Sequence, residues 1–238
     1  MTSSNDSGIR VAVVPARGGS KRIPRKNLVD FHGKPIIHWP LEMLAVSDFF
    51  DVVAVSTDDE QISEVASLVR GTEIIERPAD LAGDEVPTTP VISHAIRRLE
   101  EHHGVDVTQV TVVYPAAVFT VADDLVSADG ILHASSAEMV MSVGKHQAPT
   151  QRSWRRVDGS VIERVSPEFA MTRSQDLEGH YFDAGQFYVS LPSVWERLAA
   201  GCEVRTAMFE MEPWRVCDID TLDDLELAKR LFHIDRSL

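Results

Sequence analysis

The sequence predicts an α/β fold: a mostly parallel central sheet with helices on both faces, plus a small antiparallel strand-rich insertion. Short, nearly continuous apolar runs recur up to Gly144, and segments with helical spacing separate them. Beyond Gly144 this alternation gives way to three aromatic-rich pieces divided by polar turns.

Ile9 to Val14 is apolar almost throughout, as a strand buried on both faces must be. Val52 to Ser56 and Val110 to Tyr114 read the same way, and Met139 to Val143 is a further strand. Pro35 to Val46 reads as a helix opened by proline. Asp59 to Val69 carries Ile62, Val65, Ala66 and Val69 at three-and-four spacing, a helix with one apolar face. Val91 to His102 and Asp123 to Ala134 complete the early helices. Residues 145 to 190 hold the pieces around Trp154, Phe169 and Tyr181 to Tyr188, which read as antiparallel strands with a turn at Val157-Asp158-Gly159-Ser160. Val204 to Met211 alternates like a strand, and Thr221 to Phe232 is an amphipathic closing helix capped by Thr221 or Asp220. A single domain over 1–238 is expected, with about 145–190 as its insertion.

With 23 basic against 37 acidic residues the net charge is -14, so the long-range field repels nucleic acid and anionic lipid. A small anionic substrate therefore needs a local basic patch. Cys202 and Cys217 form no C-x-x-C pair, which points to neither zinc nor a disulfide framework and suits a reducing cytoplasm. Met1 to Gly8 is polar and small and reads as an irregular start rather than a leader. No apolar run approaches the roughly 20 residues of a membrane span.

Directly after the first strand comes Pro15-Ala16-Arg17-Gly18-Gly19-Ser20-Lys21-Arg22-Ile23-Pro24-Arg25-Lys26-Asn27. Ligands of open α/β sheets bind beyond the carboxyl ends of strands, and glycines let backbone N–H groups approach phosphate oxygens. Arg17, Lys21, Arg22, Arg25 and Lys26 supply charge to meet a nucleoside triphosphate. The loop fits neither G-x-x-x-x-G-K-S/T nor G-x-G-x-x-G, so a P-loop or dinucleotide site is not indicated. Near the other end, Asp218 and Asp220 stand two apart. In an extended segment both carboxylates face one way and could share a magnesium ion. Acids also suit a helix start, so Asp218, Asp220, Asp223 and Asp224 read equally well as capping residues. The basic loop favours the metal for the first two and leaves Asp223 and Asp224 to the helix. His94, His102, His103, His146 and His180 show no metal-site spacing.

The basic loop resembles the signature loop of the CMP-sugar synthetases, the nucleotidyltransferases with a Rossmann-like sheet that activate acylneuraminate, pseudaminate and related acids. Val55-Ser56-Thr57-Asp58, Arg77-Pro78-Ala79-Asp80-Leu81-Ala82 and Cys217-Asp218-Ile219-Asp220-Thr221 resemble further motifs of that family, in the same order. Tyr114-Pro115-Ala116-Ala117-Val118 stands where sialate-type members carry glutamine. Thr172 to Leu177 followed by Tyr181 to Tyr188 is most similar to the pseudaminate cytidylyltransferases. The resemblance implies magnesium-dependent transfer of CMP from CTP to an acidic nine-carbon sugar, with pyrophosphate leaving. Arg17, Lys21, Asp218 and Asp220 would carry the chemistry. Ala16 to Lys21, Lys26, Asn27, Arg77 and Asp80 would hold the nucleotide. Tyr114, Arg173, Gln175, Phe182 and Gln186 would meet the sugar, Arg173 by its planar fork on the carboxylate unless it pairs with Asp176. Phe182 would supply the apolar surface that pseudaminate requires. A homodimer built through the insertion is implied as well. The alternatives are neuraminate or legionaminate as substrate, then 3-deoxy-octulosonate, and, from another class, a non-catalytic nucleotide sensor.

Overall fold

The computed structural model describes residues 8–83 and 85–235, with side chains as far as His233. Residues 1–7, read above as an irregular start, lie outside them. Among the described residues the strands are β1 (Ile9–Pro15), β2 (Asp30–Phe31), β3 (Lys34–Pro35), β4 (Val52–Thr57), β5 (Thr72–Glu76), β6 (Val107–Val113), β7 (Met139–Lys145), β8 (Trp154–Asp158), β9 (Val161–Arg164), β10 (Tyr181–Ser190) and β11 (Thr206–Glu210). The helices are α1 (His38–Ala45), α2 (Glu60–Ser67), α3 (Thr88–His103), α4 (Ala122–Ala134), α5 (Ser193–Ala199) and α6 (Leu222–Asp235).

A seven-stranded sheet in the order β11-β7-β10-β6-β1-β4-β5 forms the centre. Strands β5, β4, β1 and β6 run parallel; β10 is antiparallel to both neighbours, and β11 is parallel to β7. The valine runs of β1 and β4 are buried because helices cover both faces. One apolar cluster lies on each face, under α1, α2 and α4 or under α3 and α5. A third joins Ile23, Phe31, Val118, Phe119, Cys217, Ile219 and Phe232, beneath the basic loop and the closing helix. No helix among the described residues is long and apolar enough to cross a membrane.

Three expectations are corrected. The helix expected over Pro35–Val46 starts at His38, because Lys34–Pro35 is taken into the extended β3, where Pro35 pairs with Asp30 of β2. Tyr181 to Ser190 belongs to the central sheet as β10, so the insertion ends earlier than 190. The piece around Phe169 is a 3-10 turn, Pro167–Phe169, leaving β8 and β9 as the insertion's only hairpin among the described residues. The closing helix is capped as expected. Thr221 Oγ1 accepts the Asp224 N–H at 3.2 Å while the Asp224 carboxylate accepts the Thr221 N–H at 2.7 Å.

Arg215 braces the segment leading into that helix. Its Nε and Nη2 donate to the Phe119 carbonyl at 3.1 and 2.7 Å, and its guanidinium pairs with the Asp124 carboxylate. Asp124 also accepts the Val121 N–H at 3.0 Å, closing the first turn of α4. Both side chains are buried, so losing one strands the other's charge. Arg215→Leu should therefore destabilise the protein by about 3–5 kcal/mol in urea unfolding. A loss of less than about 1 kcal/mol would show that the brace carries no weight.

Candidate active site

The site lies beyond the carboxyl ends of β1, β4, β5 and β6, and alternation in one short segment sets it up. Cys217 and Ile219 are 6% and 1% exposed in the third apolar cluster, so Asp218 and Asp220 turn the other way. Ile23 anchors the basic loop in the same cluster. The loop and the acids therefore meet. Lys26 Nζ donates to the Ile219 carbonyl at 2.8 Å and to Asp220 Oδ1 at 3.1 Å, and Arg22 pairs with Asp220 Oδ2 at 2.7 Å. Asn27 closes the loop from beneath, its Nδ2 donating to the Arg17 carbonyl at 3.0 Å.

Two adjoining cavities open here. One, of about 580 Å³, is lined by Arg17, Ser20, Lys21, Arg22, Lys26, Asn27 and Arg77 together with the 85–88 segment. The other, of about 360 Å³, is lined by Asp183, Gly185, Gln186, Tyr188 and the 217–220 segment. Lys26, Tyr114, Pro115 and Asp220 line both. A larger space of about 850 Å³ lies along β5 and lacks this convergence of cations. At its edge Glu73 meets His102 and His103, brought together by packing of α3 on β5; the Glu73–His103 contact is 3.2 Å.

Of the residues singled out in the sequence, Arg17, Ser20, Lys21, Lys26, Asn27, Arg77, Tyr114, Gln186, Asp218 and Asp220 line this pair of cavities. Others do not. Ala16 is buried and its N–H is bound to the Ser56 carbonyl, so it has none to offer a phosphate. Gly18 is required by packing: a Cβ there would sit 2.4 Å from Asp59 Oδ2. Neither it nor Gly19 lines the cavities. Asp80, on the turn Ala79–Leu81, faces a separate surface recess beside α3. Arg173 and Gln175 are exposed on the insertion, away from both cavities. Phe182 packs over Gly144 and the His146 ring, because strand alternation sends it opposite to Asp183. Gln186 is 1% exposed and its amide donates to the Ala184 and Cys217 carbonyls, so it ties β10 to the acidic segment.

The cations divide their duties. Arg25, at a left-handed φ of 57°, grips Asp59 with two bonds of 2.6 and 2.8 Å and so fixes the loop to α2. Burial works to raise the Asp59 pKa, but Arg25 and the α2 N–H groups outweigh it and hold the carboxyl below its ordinary value. In its place Arg77 joins the cavity from beyond β5. It is buried, donates to the Ser56 carbonyl at 2.8 Å, and its pKa is lowered first by desolvation. Burial and then the charge of Asp220 raise the Asp218 carboxyl above its usual value. Two carboxylates turned the same way from one extended segment are oxygen donors of the kind a hard divalent cation such as magnesium takes. Burial also pushes the Cys217 thiol up to about 11, so it stays protonated.

Sequence reading missed Asp183 and left Tyr188 without a partner. Tyr188 donates its hydroxyl to Asp183 Oδ2, and Gly185 N–H donates to Asp183 Oδ1 at 2.9 Å. Burial, followed by the nearby Tyr114, raises the Tyr188 pKa, so the hydroxyl remains a donor. The available signal was Asp-Ala-Gly inside an apolar strand, which marks a bulge.

An open α/β sheet whose first-strand loop gathers cations opposite a pair of acids defines a protein of the nucleotidyltransferase type. The cytidylyltransferase family model matches residues 11–101. A pseudaminic acid cytidylyltransferase of Campylobacter jejuni is 33% identical over 225 residues, covering 94% of this chain and 97% of that protein. N-acylneuraminate cytidylyltransferase B of Danio rerio is 29% identical, covering 93% of this chain and 51% of its own length. Among solved structures, a CMP:2-keto-3-deoxy-manno-octonic acid synthetase complexed with CTP shares the fold at TM-score 0.66 and 19% identity, covering 96% of this chain and 99% of that one. The chain belongs to the cytidylyltransferase family.

The Asp218–Asp220 pair supplies the prediction from this geometry. Asp218→Asn removes a charge that its surroundings disfavour, so without divalent ions the variant should melt slightly above the wild type at pH 7. Scanning calorimetry showing a lower melting temperature would contradict the strained pair.

Proposed function

We propose that this protein transfers CMP from CTP to a nonulosonic acid, pseudaminate by preference, and releases pyrophosphate. The observation that carries this is the convergence of Arg17, Lys21, Arg22, Lys26 and Arg77 on one cavity that adjoins Asp218 and Asp220. In a chain of net charge -14, such a cavity is a trap for a polyphosphate. The preference for pseudaminate rests on the 33% identity to a pseudaminic acid cytidylyltransferase along nearly the whole length of both proteins.

In this reading the larger cavity takes the nucleotide, and Arg17, Lys21, Arg22 and Arg77 neutralise its phosphates. The sugar enters the smaller cavity. Its anomeric hydroxyl attacks the α-phosphorus in line with departing pyrophosphate, at the junction where Lys26 and Asp220 stand. Asp218 and Asp220 would hold a magnesium ion, which supplies charge neutralisation and orientation of phosphate oxygens. The chain's contribution is positioning and electrostatics, with no covalent intermediate.

A homodimer completes the proposal. The β8–β9 hairpin leaves Trp154, Val157, Val161 and Ile162 exposed, with the Arg164 guanidinium lying over the Trp154 ring, and these apolar side chains would be buried by a second copy of the chain. Pairing through the hairpin would bring Arg173 of the partner subunit toward the sugar site, since the same residue lies outside its own cavities. A cytoplasmic location fits the two free cysteines.

Pyrophosphate release from CTP with a panel of acidic sugars tests the activity. Turnover should be highest with pseudaminate and require magnesium, and Asp220→Asn should lower kcat by about two orders of magnitude or more while circular dichroism stays native. Equal efficiency with neuraminate or legionaminate would move the sugar preference. No release with any sugar, despite CTP binding, would favour the nucleotide sensor. Light scattering should give a particle twice 26.4 kDa; a fully active 26.4 kDa particle would rule out the dimer.

A further inference from the structure

The smaller cavity owes its lining to a break in β10. Against β7, Asp183 pairs with Val143 and Tyr188 pairs with Met141, so four residues of β10 face the single Ser142 between them. Gly185, at φ 62°, makes that bulge possible. Regular alternation would send only every second residue to one side. Here Asp183, Gly185, Gln186 and Tyr188 all line the cavity. Bulges commonly re-aim side chains in this way beside active sites.

The bulge holds Asp183 in one place. Oδ1 accepts the Gly185 N–H at 2.9 Å and Oδ2 accepts the Tyr188 hydroxyl, and each oxygen retains a lone pair. A carboxylate beside Asp218 and Asp220 cannot face the sugar's own carboxylate or a phosphate, because like charges repel. It suits a hydrogen-bond donor or a cation, and of these the sugar supplies the donor. Two aromatic rings stand next to Asp183: Tyr188 and Tyr114, edge to face with centroids 6.0 Å apart. A lone hydroxyl would use the acceptor and leave that apolar wall idle. An acylamino group uses both, with its N–H on the carboxylate and its acyl carbon on the rings.

Resting on the transferase reading above, we infer that Asp183, oriented by Tyr188, receives the N–H of an acylamino substituent on the sugar while Tyr114 and Tyr188 receive its acyl carbon. Asp183 then takes over the selectivity that the sequence assigned to Phe182, whose ring packs on Gly144 and His146 instead.

The test compares kcat/KM for a nonulosonic acid carrying two acylamino groups with that for analogues in which one of them is replaced by hydroxyl or N-methylated. Wild-type enzyme should lose about 10- to 100-fold on one such replacement, the range expected for a hydrogen bond to a charged group. Asp183→Leu should erase most of that preference and leave the KM for CTP within about twofold, whereas a merely structural role would depress all sugars alike. Wild-type enzyme indifferent to N-methylation at both positions would overturn the inference without any variant, so a failure of Asp183→Leu to fold does not shield it. A folded Asp183→Leu enzyme with unchanged selectivity would overturn it too. Absence of pyrophosphate release by wild type with every sugar would instead remove the transferase reading itself.

Discussion

Asp220 accepts cations from a loop 194 residues earlier in the chain, and the site exists only while that contact holds. The ion pairs themselves are partly open to solvent, with the Asp220 side chain 30% exposed, so each contributes no more than about 1 kcal/mol. The anchorage comes from below. Ile23 from the loop and Cys217 and Ile219 from the acidic segment share one cluster with Phe119 and Phe232, and burying each large apolar side chain contributes about 1.5–3 kcal/mol. Apolar burial thus joins the two segments, and the charges choose which side chains face each other. Arg215 adds stiffness by tying the same segment to α4.

The acidic chain keeps its basic cavity in order by pairing cations with its own carboxylates. Arg22 and Lys26 rest on Asp220, and Arg25 rests on Asp59. An arginine or lysine loses rotamer freedom whenever it is fixed, and here part of that cost falls before any ligand arrives. Arg25 stays committed, since its two bonds to Asp59 maintain the loop's left-handed turn. Arg22 and Lys26 share one partner, Asp220, so in the proposed reaction a divalent cation on that carboxylate would compete with both side chains.

The valine runs, the amphipathic α2 and the glycine-basic loop were legible because each is a local pattern with one packing solution. Asp218 and Asp220 were legible through their spacing, and the alternation that orients them needed only Cys217 and Ile219 to be apolar. The failures are non-local. Helix α1 starts late because Pro35 is held in an extended pairing with Asp30 of β2, which no propensity records. Strand β10 looks like part of an antiparallel insertion until its partners are known to be β6 and β7. Phe182, expected at the sugar site, packs on Gly144 and His146, and Asp183 beside it lines the cavity, because regular pairing with β7 at these two positions turns them to opposite faces. Arg77, placed by resemblance alone, proved to be a buried cation of the cavity, whereas Asp80, three residues on, faces elsewhere.

The position of β10 also sets a timetable for biosynthesis. Strands β5, β4, β1 and β6 can pair once residue 113 has emerged, but β6 then keeps an open edge until residues 181–190 arrive to fill it. During that interval β7 has neither of its neighbours, and a row of unpaired amides borders an apolar surface. The basic loop is made before the sheet is complete, and Asp220 follows Lys26 by 194 residues. A nascent chain can therefore bury much of its first half while its catalytic cleft is still missing one wall, and slow pairing over this distance makes the half-built sheet the point most exposed to misassembly.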